Sequence, residues 1–378
     1  GFQIFSVDLG GERRLLYEKK GEFEKEQTQA EEIRKIIKGQ WEKEYKRELC
    51  TVCLEPLKTE IAYPSKGRKE KWKIPVGIYD DPNNQAQPEA VLDLEEKNLF
   101  VSGSIGSGKQ NLFFVLLRAF SEQYQEETEI YIADFEGRIP SVIQRLPQIG
   151  GIVCQHEEEK LENLIEMMEE ELNFRKKQRE WNEREGTAGF EKNDVVFIWF
   201  SYLKWKKKYP ELEERASVIW KEGIRFHIHT IIFQEEINGM GQIFSGFGCR
   251  ISLYQEDSSV YRQLMDYAKG KLPSIAGRGF FQKENEVYQM QVYLAFRGKT
   301  KKEYMLNMED WIWNCQENIK KEARKIPVIP EILRWNEYPV YREKGEIPAA
   351  VKLKQKEVVF WRQWKKKIIG ICGEEQKK

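Results

Sequence analysis

The sequence predicts an α/β fold in which helices cover a largely parallel β-sheet. Short apolar runs alternate with longer segments of helical periodicity, as in chains that build such sheets. One apolar run is followed directly by a glycine-rich stretch and then a helix, which is the local context of a phosphate-binding loop. The predicted strands are residues 99–102, 130–133, 195–200, 228–233 and 250–254, and the predicted helices are residues 109–124, 157–181 and 211–222.

The composition limits the classes of function. A chain of 378 residues has room for two or three domains. Its 62 basic and 62 acidic residues cancel, which weighs against a dedicated nucleic-acid-binding surface. No apolar run approaches the roughly 18 residues of a membrane span, and no signal peptide is recognisable. Six cysteines are too few for a disulfide framework, which fits a cytosolic compartment. The chain begins at Gly1, so we interpret it as a piece of a longer protein.

The N-terminal region predicts a long amphipathic helix. Residues 16–49 are rich in Glu, Lys and Gln, and Ile33, Ile36, Ile37 and Trp41 recur at helical spacing. A solvated linker helix is the preferred interpretation and a lever is the alternative.

Short matches between the two ends of the chain suggest a tandem repeat of whole domains, because they occur in the same order. We therefore predict a complete module flanked by linkers and by parts of two further units. The matches pair residues 2–5 with 290–293, 56–61 with 330–333 and 74–77 with 347–350. The predicted divisions are the tail of a preceding unit (1–8), a linker (9–70), a complete module (71–297), a second linker (298–346) and the truncated start of the next unit (347–378).

The sharpest motif reads G-x-x-x-x-G-K and ends with Gln110. Its position between a strand and a helix predicts a P-loop. Glycines allow successive N–H groups to face phosphate oxygens, the helix N-terminus adds its dipole, and the lysine reaches the terminal phosphates. The predicted nucleotide-binding residues are Gly103, Ser104, Ile105, Gly106, Ser107, Gly108, Lys109 and Gln110.

Two departures from the usual motif concern the metal and the hydrolytic step. Gln110 replaces the Ser or Thr whose hydroxyl binds Mg²⁺, an ion that demands tight octahedral geometry. The strand at residues 195–200 should end in acidic residues that hold Mg²⁺ and orient the attacking water, but Phe200 and Ser201 stand there. We therefore expect a module that binds ATP with little dependence on Mg²⁺, has no metal ligands of its own and hydrolyses ATP inefficiently.

Two polar residues are candidate catalytic groups, because ligands of α/β sheets bind at the carboxyl ends of the strands. Asp134 ends one predicted strand and either faces the phosphate site or holds a turn. Gln234 ends another and either senses a γ-phosphate or is an ordinary loop amide.

Weaker signals favour structural interpretations. Residues 204–208 read Lys-Trp-Lys-Lys-Lys, which permits nucleic-acid contact but fits a solvated loop better in a chain of zero net charge. Cys50 and Cys53 form a lone C-x-x-C that lacks a second ligand pair for zinc. His227 and His229 share one side of a strand and are more typical of buried or solvated histidines than of metal ligands.

The motifs together resemble the FtsK/SpoIIIE superfamily, and the inter-unit stretches resemble the linkers of the EssC/EccC family, the membrane-bound coupling ATPases of type VII secretion. Members of that family carry three ATPase units in tandem. The resemblance implies a RecA-like P-loop NTPase fold with helical linkers, and it implies that the complete module is the second unit. It is carried by residues 103–109, 134–135, 234, 250–253 and 277–279, and by the linker stretches 55–57 and 326–331.

The resemblance also implies partners and a location. It implies ATP as cofactor, bound through Gly103, Gly106, Gly108 and Lys109. It implies contact with adjacent ATPase units of the same chain, secreted type VII substrates recognised mainly by the next unit, a possible homo-oligomer, no DNA, and a place at the cytoplasmic face of the cell membrane.

Three functions remain open at this stage. The preferred one is a hydrolysis-deficient pseudo-ATPase unit that is regulatory or structural within the array. The alternatives are an active translocase that moves protein or DNA, and a nucleotide-free module that binds secretion substrates. Arg250 and Arg278 either reach a neighbouring subunit's site or serve as structural partners within the chain.

Overall fold

The computed structural model describes two compact units, Gly1–Pro56 with Pro82–Gln85, and Leu57–Asp81 with Ala86–Lys378. The predicted tail at residues 1–8 and the Cys50/Cys53 pair lie outside the described residues. The described residues are 14–19, 22–45, 54–64, 70–123, 127–185, 193–240, 243–266, 268, 270–283, 286–298, 300–319, 321–328, 346–352 and 357–362.

The first unit contains an antiparallel hairpin, β1 (Arg14–Lys19) and β2 (Glu22–Thr28), followed by the helix α1 (Gln29–Tyr45). The prediction of one helix from residue 16 is therefore wrong in its first part. Gly21 lies in the sequence between the two strands, and a glycine inside a helix costs about 1 kcal/mol relative to alanine. The predicted apolar residues Ile33, Ile36 and Ile37 do lie on α1, and all three are exposed.

The second unit is built on a ten-stranded sheet, which confirms the predicted α/β fold. Six neighbouring strands run parallel, and the other four extend the sheet on one side as antiparallel strands. The strands are β3 (Lys73–Tyr79), β4 (Glu89–Asp93), β5 (Leu99–Ser102), β6 (Thr128–Asp134), β7 (Ile149–Cys154), β8 (Asp194–Phe200), β9 (Ile228–Gln234), β10 (Cys249–Leu253), β11 (Arg278–Lys283) and β12 (Glu286–Val292), and their order is β4-β3-β12-β11-β10-β5-β9-β8-β6-β7.

Helices cover both faces of this sheet. Two of the helices contribute Phe113 and Ile312 to one buried cluster. Two others contribute Leu164 and Trp220 to the second buried cluster. The helices are α2 (Lys109–Gln123), α3 (Glu158–Glu185), α4 (Tyr202–Lys208), α5 (Pro210–Glu222), α6 (Ser259–Leu264) and α7 (Lys301–Asn318), with short 3-10 helices at Ser141–Arg145, Gly223–Phe226 and Phe244–Gly246. Since parallel strands are buried on both faces, they read as continuous apolar runs in the sequence.

The lysine-rich stretch at residues 204–208 is not a solvated loop, as predicted, but most of helix α4. Trp205 is fully buried, and its ring centroid lies 4.3 Å from that of Trp199 and 6.1 Å from that of Trp220. Burial of two large aromatic side chains, Tyr202 and Trp205, fixes this short helix against the sheet, while Lys207 and Lys208 remain exposed.

The segment after α7, residues 321–328, lies along the edge strand β7, and we call it the strap. Its backbone donates from Ala323 N to Pro147 O (2.8 Å) and from Ile326 N to Gly150 O (3.3 Å). A β-carbon added to Gly150 would lie 2.6 Å from Arg324 O, so this glycine permits the close approach. The strap therefore covers part of an otherwise open sheet edge.

A further antiparallel hairpin, β13 (Glu346–Lys352) and β14 (Glu357–Arg362), follows the strap along the chain. Across the described part of the chain, no helix combines the length and apolar character that crossing a bilayer requires.

Candidate functional site

The predicted P-loop connects the end of β5 to the start of α2 at the carboxyl edge of the parallel strands. Gly103 N donates to Gln234 O (3.2 Å), and Ser104 N donates to Tyr254 O (3.0 Å). These bonds tie the loop to the ends of the strands on both sides of β5, namely β9 and β10.

The later part of the loop depends on left-handed backbone conformations. Gly106 has φ +79° and Gly108 has φ +99°, values that favour glycine. A β-carbon on Gly108 would lie 2.6 Å from Gly277 N, and that same N–H donates to Ser107 O at 2.8 Å. The loop therefore packs backbone against backbone at Gly108, where even an alanine would collide.

The loop and the first turn of α2 present several backbone donors to one small region. Within the described residues, the N–H groups of Ile105, Gly106, Gly108, Lys109 and Gln110 have no backbone acceptor. Unpaired amides at the N-terminus of a fifteen-residue helix favour an anion. The arrangement suits the phosphates predicted from the sequence.

Lys109 is buried beside these amides, with 5% of its side chain exposed. Its Nζ donates to Gly103 O at 2.6 Å and lies 3.9 Å from Glu136 Oε1. Burial lowers the pKa of the Lys109 ammonium, and the Glu136 carboxylate opposes that shift. The ammonium is held at the mouth of the P-loop, where a terminal phosphate would meet it.

Glu136 is the residue that the sequence analysis missed. Its side chain is 4% exposed, its Oε1 accepts from Ser201 Oγ at 2.8 Å, and its Oε2 lies 3.4 Å from Arg138 Nε. The signal for it was an acidic residue just beyond a strand that runs beside β8, since Asp134 of β6 is in register with Phe200 of β8.

Asp134 holds the turn that carries Glu136. Its Oδ1 accepts from Glu136 N (3.0 Å) and Gly137 N (2.8 Å), and its Oδ2 accepts from Ile139 N (2.9 Å). Asp134 is 97% buried, and the three hydrogen bonds stay inside its own loop. This geometry favours the turn role that the sequence left open over a direct role at a phosphate.

The two candidate glutamines are also engaged with the backbone. Gln110 Nε2 donates to Arg138 O at 2.7 Å, so its side chain bridges α2 and the loop after β6. Gln234 Oε1 accepts from Leu203 N at 3.2 Å, in the first turn of α4. Gln234 thus joins the P-loop, through its carbonyl, to the helix that follows β8.

The end of β8 is apolar where an acidic residue would be needed. The Phe200 ring stacks on Phe233 with 4.7 Å between centroids, and it meets Phe113 edge-on at 5.3 Å. Ser201 follows in a left-handed conformation, with φ +57°, and its hydroxyl turns to Glu136.

A cavity of about 610 Å³ opens in front of the P-loop. Its walls come from the loop itself, from the segment after β6 and, unexpectedly, from the first turns of α7, a helix of the predicted linker. The residues involved include Ser104, Gly106, Gly108, Lys109, Gln110, Glu136, Arg138, Phe200, Leu294, Lys301, Tyr304 and Met305.

The arginines and histidines singled out in the sequence have structural partners. Arg250 donates to three backbone carbonyls, and Arg278 donates to one carbonyl and one side-chain amide. The acceptors are Phe244 O, Phe247 O and Leu264 O for Arg250, and Leu57 O and Gln291 Oε1 for Arg278. His227 Nδ1 lies 3.1 Å from Asp194 Oδ1, and the buried His229 ring stacks on Trp72 at 3.6 Å.

Comparison with known proteins confirms the resemblance inferred from the motifs. No protein-family model matches the chain. It is 25% identical over 314 residues to the ESX secretion system protein EccC of Geobacillus thermodenitrificans, which covers 79% of this chain and 21% of the relative. It is 23% identical over 339 residues to the ESX secretion system protein YukB of Bacillus subtilis, which covers 86% of this chain and 23% of that relative.

The fold comparison agrees with the sequence comparison. A solved structure of EssC from Geobacillus thermodenitrificans, comprising ATPases 2 and 3, superposes with a TM-score of 0.75 at 24% identity, covering 82% of this chain and 62% of that one. The likeness shows a shared P-loop ATPase fold. The chain spans about a fifth of the length of the curated relatives it matches.

Proposed function

We propose that the module at residues 71–297 is a nucleotide-binding unit of a type VII secretion motor that holds ATP but hydrolyses it poorly. One contrast carries the proposal. The P-loop keeps its unpaired amides and Lys109, whereas the end of β8 carries Phe200 and Ser201 in place of acidic residues.

The residues of the cavity fit a triphosphate. The amides at the start of α2 and the Lys109 ammonium would hold its terminal phosphates, and Arg138 and Lys301 add positive charge to the walls. Efficient hydrolysis also needs a carboxylate or amide that orients the attacking water at the end of β8. Phe200 stands at this position, and its phenyl side chain has no such group; its ring packs against Phe233 and Phe113 instead.

A regulatory or structural role within an array is supported by the position of α7. Lys301, Tyr304 and Met305 of this helix line the cavity, and the chain then continues into the strap on β7. A nucleotide in the cavity would therefore contact the helix that leads towards the next unit. Such a contact would couple occupancy of the site to the path of the linker.

The proposed tandem organisation has support in the hairpins. β3 and β13 each contain an Ile-Pro pair and each pairs antiparallel with the following strand. Their registers shift at corresponding places, between Pro75 and Gly77 and between Pro348 and Ala350. The similarity supports residues 347–378 as the start of a further unit, as the sequence matches suggested.

The partners and the location proposed for the unit rest on its relatives, which are named as secretion system proteins. We propose that adjacent ATPase units of the same chain are its main partners, that secreted substrates are recognised mainly by the next unit, and that the motor works at the cytoplasmic face of the membrane. Assembly as a homo-oligomer fits this proposal, and DNA is not expected as a ligand.

The direct test is calorimetry of ATP binding to the full chain and to a Lys109→Ala variant. Loss of charge-assisted bonds to phosphate should weaken binding roughly 10-fold to 100-fold, from about 1.5–3 kcal/mol per such interaction. Lys207→Ala, an exposed lysine on α4, serves as the matched control and should bind as the wild type does.

Phosphate release measured on the same proteins separates the alternatives. We expect wild-type release close to the background without protein. Steady release that Lys109→Ala abolishes would favour an active translocase instead. Failure of the wild type to bind ATP at millimolar concentration would favour a nucleotide-free module for secretion substrates.

A further inference from the structure

We propose that Glu136 has taken over the cation-facing carboxylate role that the end of β8 has lost, so that a divalent cation joins the site together with the nucleotide. The inference rests on the proposed nucleotide binding and departs from the sequence expectation of a site indifferent to Mg²⁺. It assigns to the loop after β6 a function that the sequence pattern placed on β8.

The strand order makes such a transfer possible. β6 and β8 are parallel neighbours, and Asp134 is in register with Phe200, so the residues that follow each strand emerge side by side. Ser201 stands where an acidic residue is expected, and its hydroxyl donates to Glu136 Oε1 at 2.8 Å. The Glu136 carboxylate, which is supplied by the loop after β6, therefore lies beside the position that an acidic residue at the end of β8 would occupy.

The Glu136 carboxylate lies among the groups that a bound phosphate would meet. Its buried carboxylate lies 3.9 Å from Lys109 Nζ and 3.4 Å from Arg138 Nε, two groups that line the same cavity as the phosphate-binding amides. A phosphate drawn to those cations would be repelled by the carboxylate unless another cation lay between the two anions. A divalent cation held between the Glu136 carboxylate and a phosphate would offset this repulsion.

The donor set fits Mg²⁺ held jointly with phosphate. Mg²⁺ is commonly bound by one or two carboxylates together with phosphate oxygens and water. Among the described residues there is no group of three or more His, Cys, Asp or Glu side chains that could hold a metal ion by themselves. We therefore expect the cation to bind with the nucleotide and not to the protein alone.

The loop that carries Glu136 is fixed on both sides. Asp134 accepts from three amides of the turn, and Gln110 Nε2 donates to Arg138 O at 2.7 Å. A ligand held by such supporting bonds needs little rearrangement when the cation arrives.

The test measures ATP binding to the full chain by calorimetry, once with excess Mg²⁺ and once with EDTA. For the wild type we expect Mg²⁺ to strengthen binding roughly 10-fold or more, as a charged contact warrants. Glu136→Gln should lose most of this dependence while gaining affinity in EDTA, because the repulsive charge is gone. Glu214→Gln, an exposed residue of α5, is the control and should retain the wild-type dependence.

Electron paramagnetic resonance with Mn²⁺ gives a second readout that is independent of turnover. Bound Mn²⁺ should be detected with the wild type only when ATP is present, and its spectrum should change in Glu136→Gln. Glu136→Asp keeps the charge on a shorter side chain and should give an intermediate result, and thermal unfolding of each variant verifies the fold.

The outcomes distinguish this inference from the proposed function. ATP binding that needs Lys109 but responds equally to Mg²⁺ in wild type and Glu136→Gln would overturn the inference alone. Equal tightening of the variant with and without Mg²⁺ would also overturn it, since Glu136 would then only obstruct the site. Absence of ATP binding by every protein would overturn both.

Discussion

The P-loop and the end of β8 face the same cavity but differ in the groups they present to it. The loop presents free amides and Lys109, and its shape is fixed by the backbone contact between Gly108 and Gly277. The end of β8 presents Phe200, packed into an aromatic cluster. Phosphate binding rests mainly on backbone conformation, whereas hydrolysis rests on one or two side chains. The two properties are therefore physically separable. An apolar residue can replace an acidic one at the end of β8 without a change in the conformation of the P-loop.

The largest expected effect comes from replacing Phe200 with aspartate. The change removes the contacts with Phe233 and Phe113 and buries a charge, so we expect a loss of about 3–5 kcal/mol in the free energy of unfolding, measured with urea. Phe200→Leu keeps an apolar group and should cost less than about 1.5 kcal/mol. If Phe200→Asp unfolds like the wild type and hydrolyses ATP, the apolar packing does not explain the loss of the acid.

The loop side of the comparison is tested at two glycines. Gly108→Ala places a β-carbon 2.6 Å from Gly277 N and should cost about 2–3 kcal/mol and most of the ATP affinity. A β-carbon in Gly106→Ala meets nothing within 4 Å. This variant should lose only about 1 kcal/mol in the free energy of unfolding, which is the cost of an alanine in the left-handed conformation. Equal losses for the two variants would contradict the close approach at Gly108.

Acid should destabilise the fold through His229, which lies near the start of β9, at the opposite end of the strand from Gln234. Burial lowers the pKa of His229 to about 3 from an ordinary value of 6.5. Between these values the unfolded chain binds a proton that the folded chain does not, so stability is complete above pH 6.5 and falls as the pH decreases. By pH 5 the loss should be about 2 kcal/mol.

His229→Phe isolates this contribution, because phenylalanine can stack on Trp72 without titrating. Its stability should fall less than that of the wild type between pH 7 and pH 5 in urea titrations. Parallel pH profiles for the two proteins would show that His229 has an ordinary pKa.

The smallest expected effect concerns the turn that holds Glu136. Asp134→Asn keeps one acceptor oxygen but loses the other and the charge, which should cost about 1 kcal/mol in urea unfolding and reduce the response of ATP binding to Mg²⁺. Asp257→Asn is the matched control, because Asp257 caps an exposed turn at Ser259, and it should leave the Mg²⁺ response unchanged. An unchanged response in Asp134→Asn would separate the turn from the cation.

The parallel core could be predicted because its strands are continuous apolar runs. β7 was not predicted, since Gly150 and Gly151 interrupt its run. Helix α4 was not predicted either, because four of its seven residues are lysines and only Tyr202 and Trp205 are buried. The antiparallel strands β11 and β12 escaped detection for a related reason. Their adjoining ends, residues 282–283 and 286–289, are mostly polar and are partly buried or exposed, so neither strand forms a continuous apolar run.

The P-loop could be located from its motif alone, because the conformation it needs is written in consecutive residues. Glu136 could not, because its role depends on which strand lies beside β8. Sequence spacing does not specify strand order, and β6 precedes β8 by one helix and a further strand. The contribution of α7 to the cavity wall was missed for the same reason, since it depends on where the linker folds back.

The glycines under the strap have a consequence for the outer edge of the sheet. An uncovered outer strand offers unpaired backbone groups that another chain can adopt, which is a common route to aggregation. Here the strap donates hydrogen bonds to Pro147 O and Gly150 O, so a later part of the same chain protects this region of the sheet edge from pairing with another chain. Any rearrangement that detaches the strap would expose these backbone groups and make the strand edge prone to aggregation.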